Sequence, residues 1–226
     1  MCNYGGGGSE GIHMSSTATM TAPGGARAQA NRRRILDVAA TELAENPSAS
    51  MEDIAAAAGV VRRTLYGHFP NRDALLDGIV DRAFDDIEQA LHDPEPGEPV
   101  RVTAARYTIS LWQVGDRYRL LLRLSETDLK QRIEQRLAPV YAVCRALIAE
   151  GQRRGDFADH LPPDVLARTQ TALIFTLLEE RNNESWTDPQ PAVVVARASL
   201  IASGVPPAEA AEIARTAAEL EGLPAS

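Results

Sequence analysis

Apolar side chains recur every three or four residues along most of the chain, and no segment alternates apolar with polar residues over the length of a strand. The first spacing is typical of helices that bury one face, and strands need the second. The pattern therefore predicts an all-α protein. Predicted helices cover about residues 28–45, 50–59, 62–69, 71–92, 100–114, 116–124, 128–154, 164–183, 191–203 and 206–220, with a kink at Pro139.

Two of these helices, near the N-terminus, are short and lie on either side of Gly59. Ser50 is a predicted N-cap, and Asp53 three residues later completes a capping box. Gly59 permits the positive φ that a tight helix exit often needs. The next helix ends before Pro70, because proline disfavours a helical residue ahead of it. Two short helices around one tight turn predict a helix-turn-helix, which indicates duplex DNA as the partner.

The second short helix is predicted to bury Leu65 and Phe69, four residues apart, and to turn its donor-rich side outward. Guanidinium, hydroxyl and imidazole groups suit phosphates and guanine edges. The outward residues are Arg62, Arg63, Thr64, Tyr66 and His68. A second basic group precedes the apolar stripe of helix 28–45, and we expect it to lie along the phosphate backbone, although such a run is also common on a solvated face. It consists of Arg32, Arg33 and Arg34.

Residues 58–76 contain the pattern Ala-Gly-Val-x-x-x-Thr-Leu-Tyr-x-His-Phe-x-Asn-Arg-x-Ala-Leu-Leu. This pattern resembles the DNA-binding motif of the TetR family of bacterial transcriptional repressors, and the resemblance covers about residues 30–80. It implies base contacts from Arg62, Arg63 and Thr64, and phosphate contacts from Tyr66, His68 and Arg72.

Two positions depart from the family pattern. Val61 stands where a cap-forming residue is common, and a side chain without oxygen gives up about 1 kcal/mol of capping. Gly67 stands where a larger, often basic residue is usual. We therefore expect the base preference to depend mainly on the two arginines at the start of this helix.

The N-terminal segment differs in composition from the rest of the chain. Residues 1–13 resemble a tag with a linker, and residues 14–26, rich in Ser, Thr, Ala and Gly, predict a disordered arm. Residues 27–72 are the predicted DNA-binding domain, and residues 73–226 a larger helical domain for ligand binding and dimerisation. No apolar run approaches the 20 or so residues of a membrane span, so we expect a cytoplasmic protein without membrane association.

Charge is unevenly distributed. The chain carries a net charge of −8, but residues 27–72 hold seven arginines against five acids, while residues 73–226 hold 16 basic residues against 25 acids. A locally positive region on an acidic body suits DNA binding. All but one of the 23 basic residues are arginine, the exception being Lys130. Cys2 lies in the tag-like segment, so Cys144 is alone in the body and no native disulfide is expected.

The family resemblance implies two further properties of the larger domain. Dimers are expected through a four-helix bundle, to which this chain contributes helix 164–183 and residues 191–203; a central helix of a single domain is the alternative. A pocket for a small lipophilic effector is expected among the middle helices, where each residue could equally be ordinary core. Its candidate lining residues are Phe84, Tyr107, Leu111, Trp112, Tyr118, Tyr141, Cys144 and Phe175.

Catalysis is not expected, because the sequence shows no histidine pair at metal-ligand spacing, no phosphate-binding glycine loop and no nucleophile elbow. We therefore expect no cofactor and no metal. The sequence favours a ligand-responsive repressor that binds a palindromic operator as a homodimer. Two alternatives stay open: a helical scaffold whose helix-turn-helix packs against protein, and an activator with the same DNA contacts.

Overall fold

The computed structural model describes residues 23–91, 94–119 and 133–224, and these residues form helices and no strand, as the pattern predicted. The helices are α1 (Pro23–Glu45), α2 (Met51–Ala57), α3 (Arg62–His68), α4 (Arg72–Ala90), α5 (Val100–Tyr118), α6 (Ala138–Arg154), α7 (Pro163–Asn182), α8 (Pro191–Ala202) and α9 (Pro207–Leu220). The predicted tag lies outside the described residues, as does most of the predicted arm. Its last four residues belong to α1, which begins with Pro23, a residue whose fixed φ suits a first helical turn.

The first three helices form a small head, residues 23–69, whose local signals act as predicted. The Ser50 hydroxyl accepts from the Asp53 amide at 3.2 Å, and the Asp53 carboxylate accepts from the Ser50 amide at 2.8 Å. The Ser50 hydroxyl also donates to the Asp53 carboxylate, at 2.7 Å, and this bond, followed by the one from the Ser50 amide, lowers the pKa of Asp53. Gly59 has φ +61° and turns the chain between α2 and α3. The interior of the head contains Leu65 and Phe69, as predicted. Other residues of this interior are Ile35, Leu36, Ala39, Leu43 and Ile54.

Helix α4 starts beside α3 and continues towards the body, which comprises residues 94–119 and 133–224. The Asn71 side chain caps it by accepting from the Ala74 amide at 2.8 Å. Its first half packs on α1, and its second half packs on α5. One apolar cluster therefore runs from the head interior through Ile79 of α4 to Val114 and Tyr118 of α5.

The predicted break between helices 100–114 and 116–124 is wrong, because α5 continues to Tyr118 without interruption. The remainder of the second segment lies outside the described residues. Gly115 is helical, and an added Cβ there would stand 2.9 Å from Leu178 Cδ1. A glycine inside a helix costs about 1 kcal/mol, and here it permits the close approach of α7.

The predicted kink at Pro139 is a helix boundary. A short helical segment at residues 133–136 ends at the turn residue Leu137, and α6 then begins with Pro139 in its first turn. Proline is tolerated there because the first-turn amides have no partner within the helix. Residues 128–132 of the predicted helix lie outside the described part of the chain.

Helix α5 is the centre of the body. It packs against α4, α6, α7, α8 and α9, and both of its predicted apolar faces are covered. Helices α8 and α9 cover one side of it, and α6 and α7 form a layered pair on another. The main body cluster contains Ile109 and Trp112 of α5 together with Val195 and Leu200 of α8.

A half-buried ion cluster ties the start and the end of the body together. Arg106 of α5 donates to Glu98 Oε1 at 2.5 Å and to Glu221 Oε1 at 2.7 Å. Thr103 and Ser110 donate to the other oxygens of these two carboxylates, at 2.6 and 3.3 Å. The bonds to Glu221 and then to Glu98 raise the pKa of Arg106 in spite of its burial.

We expect Arg106→Met to lower the free energy of unfolding by roughly 3 kcal/mol, because it leaves two largely buried carboxylates facing one another without a cation. Urea denaturation at neutral pH measures this loss. The matched control is Arg215→Met, which removes an exposed pair with Glu212 and should cost less than about 1 kcal/mol. Equal losses for the two variants contradict a structural role for the cluster.

Candidate DNA-binding surface and ligand cavity

The recognition helix α3 has a buried side and an outward side, as expected. Leu65 and the cap residue Phe69 are inside the head, whereas Arg62 and Arg63 are exposed and Thr64 is half-buried. Val61, directly before the helix, makes no side-chain cap and is 70% exposed. The first turn of α3 is therefore exposed and carries two guanidinium groups. Recognition helices contact base edges with this turn.

The outward side of α3 holds a contact that the sequence did not suggest. Arg62 Nη2 lies 2.9 Å from Glu52 Oε1 of α2, and the guanidinium stacks over the Tyr66 ring at 5.2 Å from its centre. The Tyr66 hydroxyl donates to the same Glu52 oxygen at 3.4 Å. A carboxylate is thus part of a surface predicted from its donors alone. The sequence does not show this contact, because the apolar pattern of α2 identifies only the buried side of that helix. The contact depends on how α2 packs against α3.

Of the other predicted DNA contacts, four lie on α1 or at the end of α3, and Arg72 lies on α4. Arg34 and His68 line one shallow surface groove together with Arg27, and Arg33 is exposed beside it. Arg32 lies over the Phe69 ring, 5.0 Å from its centre. These residues bring α1 and the end of α3 to one basic surface.

Arg72 has internal partners in the head. It donates to the Ala49 carbonyl and, at 2.7 Å, to the Pro47 carbonyl, so it holds the loop between α1 and α2. A guanidinium carries five N–H donors, so two carbonyl bonds leave others free for a phosphate. The structure therefore gives Arg72 a structural role in addition to the predicted contact.

An apolar cavity lies between α4, α5, the segment before α6, and α7. The volume between its lining residues is about 740 Å³ when the opening to solvent is included, and the enclosed inner space alone is about 100 Å³. Among the described residues of its wall, two carry side-chain hydroxyls, and both already donate within the protein, Thr171 to the Ala167 carbonyl and Tyr118 to Asp86. Its lining residues are Val80, Ala83, Phe84, Ile87, Leu111, Val114, Gly115, Tyr118, Ile133, Leu137, Val140, Thr171, Ile174, Phe175 and Leu178.

Four of the predicted lining residues are in this wall and four are elsewhere. Phe84, Leu111, Tyr118 and Phe175 face the cavity. The others are Tyr107, buried in α5; Trp112, in a T-shaped pair with Trp186 at 5.7 Å; Tyr141, under the Arg168 guanidinium; and Cys144, beside Ile148 and Leu166. Burial raises the pKa of the Cys144 thiol to about 11.

Most residues of the cavity wall were not predicted, because the predicted lining residues are mainly aromatic. The added positions are mainly aliphatic, such as Ile87, Val140 and Ile174, and they show the same helical spacing as ordinary core. Gly115 also belongs to the wall. The only sign of this in the sequence is that a glycine stands among apolar residues.

A polar network joins the cavity wall to the head. Asp86 of α4, whose side chain is only 10% exposed, accepts from the Tyr118 hydroxyl at 2.8 Å and from Arg117 at 3.1 Å, and it forms an ion pair with Arg82 at 2.7 Å. Arg82 also reaches Asp37 of α1, at 3.4 Å. Burial opposes the charge of Arg82, but Asp86 and Asp37 outweigh it and raise the pKa of Arg82. Burial and the bond to Asp86 raise the pKa of Tyr118.

The fold and these two regions define a helix-turn-helix protein with a helical, cavity-bearing body. A model of the bacterial regulatory proteins of the tetR family matches residues 35–79, and a model of the C-terminal region of YsiA-like proteins matches residues 116–187. Together they span more than half of the chain. The chain belongs to the TetR family of bacterial transcriptional regulators, a family of regulators and not of enzymes.

Similar proteins agree with this assignment. The transcriptional repressor LfrR of Mycolicibacterium smegmatis is 40% identical over 101 residues, which are 42% of this chain and 52% of LfrR, so the match spans about half of that relative. The structure of LfrR from Mycobacterium smegmatis with proflavine has a TM-score of 0.62 and 26% identity, covering 80% of this chain and 99% of that one. A TetR-family regulator from Rhodococcus sp. has a TM-score of 0.65, 20% identity, and coverage of 78% and 100%. The last comparison shows the fold alone.

None of the helices within the described residues combines the length and the apolar character that a membrane crossing requires.

We expect Gly115→Ala to weaken binding of the neutral dye Nile red to the cavity by roughly tenfold, since the added methyl displaces the Leu178 side chain into the space a ligand would use. Dye fluorescence titration measures the effect. The control is Gly67→Ala, a helical glycine with nothing within 4 Å of the added Cβ. It should leave dye affinity unchanged and stabilise the fold by about 0.5–1 kcal/mol. Dye binding unaffected by Gly115→Ala argues that the dye binds elsewhere.

Proposed function

We propose that the protein is a ligand-responsive transcriptional repressor that binds a palindromic operator as a homodimer and leaves it when a small lipophilic effector binds. The observation that carries the proposal is the position of α4. Its first turn adjoins the recognition helix, and its second half, from Val80 to Ile87, forms a wall of the apolar cavity. One rigid element is thus shared by a DNA-binding surface and a ligand-binding space.

The proposed DNA contacts follow from exposure and chemistry. Arg62, Arg63 and Thr64 at the first turn of α3 are assigned to base edges, where a guanidinium can donate two bonds to guanine. Tyr66, His68 and Arg72 are assigned to phosphates, together with the α1 group Arg32, Arg33 and Arg34. Phosphate contacts set affinity and its salt dependence, and base contacts set sequence preference.

The proposed dimer uses α7 and α8. The face of α7 that carries Val165, Thr169, Ala172 and Thr176 is exposed, while the opposite side, with Leu166, Ile174 and Leu178, is buried within the chain. Gln170 links α7 to α8 by donating to the Ser199 carbonyl and the Ser203 hydroxyl, and Ile201 of α8 is 40% exposed. Two such helices from each subunit form a self-complementary four-helix contact with two-fold symmetry, which places two recognition helices on two half-sites.

The proposed effector is lipophilic, because its cavity offers apolar walls and no free hydroxyl among the described residues. The aromatic rings of Phe84, Tyr118 and Phe175 suit a flat ring system. The relative LfrR has been crystallised with proflavine, and a planar ligand is consistent with that likeness. An effector of this kind would gain most of its affinity from buried apolar surface.

The proposed release mechanism is a shift of α4. A ligand changes DNA affinity only if it binds the two conformations with different affinities. A ligand between Phe84 and Phe175 spreads α4 from α7. The network of Asp86 with Tyr118, Arg82 and Asp37 transmits the change, since it connects the cavity wall to α4 and α4 to α1. The heads of the two subunits then leave the spacing that fits successive half-sites.

The DNA-binding proposal predicts that selection from random duplexes enriches a palindrome that binds two copies of the chain. We expect Arg63→Ala to weaken binding to that duplex by about ten- to a hundredfold, because it removes a base contact. Fluorescence anisotropy measures the affinity, and sedimentation measures the stoichiometry. The control is Arg145→Ala, an exposed arginine of α6 far along the chain from the head. A parent protein that enriches no sequence at low salt supports the scaffold alternative instead.

The release mechanism predicts that Tyr118→Phe separates ligand binding from DNA release. The ring remains in the cavity wall, so Nile red should bind within about threefold of the parent affinity. The hydroxyl contact with Asp86 is lost, so the dye should weaken operator binding by a smaller factor than in the parent. Operator titrations with and without saturating dye give this factor, which is a coupling free energy. An unchanged factor shows that coupling takes another route.

A further inference from the structure

A carboxylate lies within the surface proposed to bind DNA. Glu52 belongs to the first turn of α2, yet its Oε1 contacts two residues of the recognition helix: Arg62 Nη2 at 2.9 Å and the Tyr66 hydroxyl at 3.4 Å. The Arg62 guanidinium also stacks on the Tyr66 ring, 5.2 Å from its centre. Two independent contacts therefore fix the orientation of one guanidinium.

Folding stability does not account for this carboxylate. The Glu52 side chain is 47% exposed and the Arg62 side chain 69% exposed, and ion pairs of such exposure contribute little to stability. Near a phosphate backbone, a carboxylate is also repelled. An acidic side chain in the first turn of α2 stabilises that helix modestly. Against this stands its cost to general DNA affinity, and its pairing with Arg62 points to a role in how that guanidinium is used.

We propose that Glu52 is a positioning residue that determines specificity: it holds Arg62 for one guanine and limits binding to other sequences. The inference rests on the proposed DNA-binding function. A guanidinium has five N–H donors, and the ion pair with Glu52 engages Arg62 through Nη2 alone. Arg62 keeps donors on both terminal nitrogens, which is the fork that guanine O6 and N7 accept.

The same contact makes non-specific binding weaker. An unpaired arginine on this surface swings to whichever phosphate is near and neutralises it, on any sequence. To swing to a phosphate elsewhere on the surface, Arg62 has to leave the position that Glu52 and the Tyr66 ring give it, and the freed carboxylate then faces the backbone. At the correct guanine, Arg62 needs no such release, so the penalty falls on incorrect sequences and discrimination increases.

The test compares Glu52→Gln with Glu45→Gln, which removes the same charge from an exposed position at the end of α1. Affinities are measured for the duplex selected by the parent protein and for a scrambled duplex, each over a salt series. We expect Glu52→Gln to bind the scrambled duplex severalfold more tightly, with a salt slope steeper by about one. The ratio of specific to non-specific affinity should fall by about tenfold, with the loss concentrated at one G·C pair of each half-site. Glu45→Gln should keep the parent ratio and the parent base preference.

A double-mutant cycle with Arg62→Ala separates positioning from simple charge removal. In the Arg62→Ala background, Glu52→Gln should change no base preference, because the residue it positions is absent. Tyr66→Phe keeps the ring but loses both the bond to Glu52 and the proposed phosphate contact. It should therefore weaken binding to both duplexes and, in addition, lower the specificity ratio by a smaller factor than Glu52→Gln does. Thermal unfolding of each variant checks that the head remains folded, which an exposed substitution should permit.

Two failures are distinguishable. If the parent protein selects no duplex, the proposed DNA-binding function is wrong. If the parent selects a palindrome, but Glu52→Gln keeps the parent specificity ratio or matches Glu45→Gln at every base pair, only the role of Glu52 is overturned. Equal effects of Glu52→Gln with and without Arg62 also overturn it.

Discussion

The burial of α5 is the constraint on which the other elements depend. This helix has apolar side chains on two faces, and a helix of that kind must be covered on both. Helices α8 and α9 cover one of its sides, α4 and the pair α6 and α7 cover others, and the ion cluster around Arg106 fixes its first turns to the residue that follows α9. Among the described residues, the cavity lies beside Gly115 of α5, which has no side chain to fill it, and its wall combines aliphatic residues with the rings of Phe84, Tyr118 and Phe175. The space proposed for a ligand thus adjoins the most covered helix of the body.

The head and the body are continuous in two physical senses. Apolar packing extends from Ile35 and Leu65 through Ile79 to Val114 and Tyr118, and a chain of charges runs beside it from Asp37 through Arg82 to Asp86. Apolar contacts tolerate small displacements, but a carboxylate with three donors at about 3 Å does not, since each unmade bond to a largely buried charge is costly. The network therefore favours two distinct arrangements over a graded one, which is what an operator-binding switch of the proposed kind requires.

Local chemistry explains which features the sequence predicted. The cap at Ser50, the glycine exit at Gly59 and the inward residues Leu65 and Phe69 depend on neighbours within a few positions, and the structure contains each as expected. The role of Gly115 inside α5 could not be predicted in this way, because it involves the close approach of Leu178, which is distant in sequence. The aliphatic residues of the cavity wall have the same helical spacing as core residues. Which of them line a cavity depends on how the helices pack against one another. The contact of Glu52 with Arg62 is also tertiary. The two residues are ten positions apart, on either side of a turn, and the angle of that turn determines whether they meet.

The cations of the described head are all arginines, apart from the imidazole of His68. Arginine stays protonated at any pH a cell experiences, and it is not a substrate for the acetylation that neutralises lysine. The positive charge offered to DNA by these side chains is consequently permanent. In the proposed mechanism the operator is therefore not released by loss of charge but by geometry, since the same fixed cations are moved out of register with the phosphates. On that proposal, regulation depends more on the stiffness of α4 than on the chemistry of the DNA-binding residues.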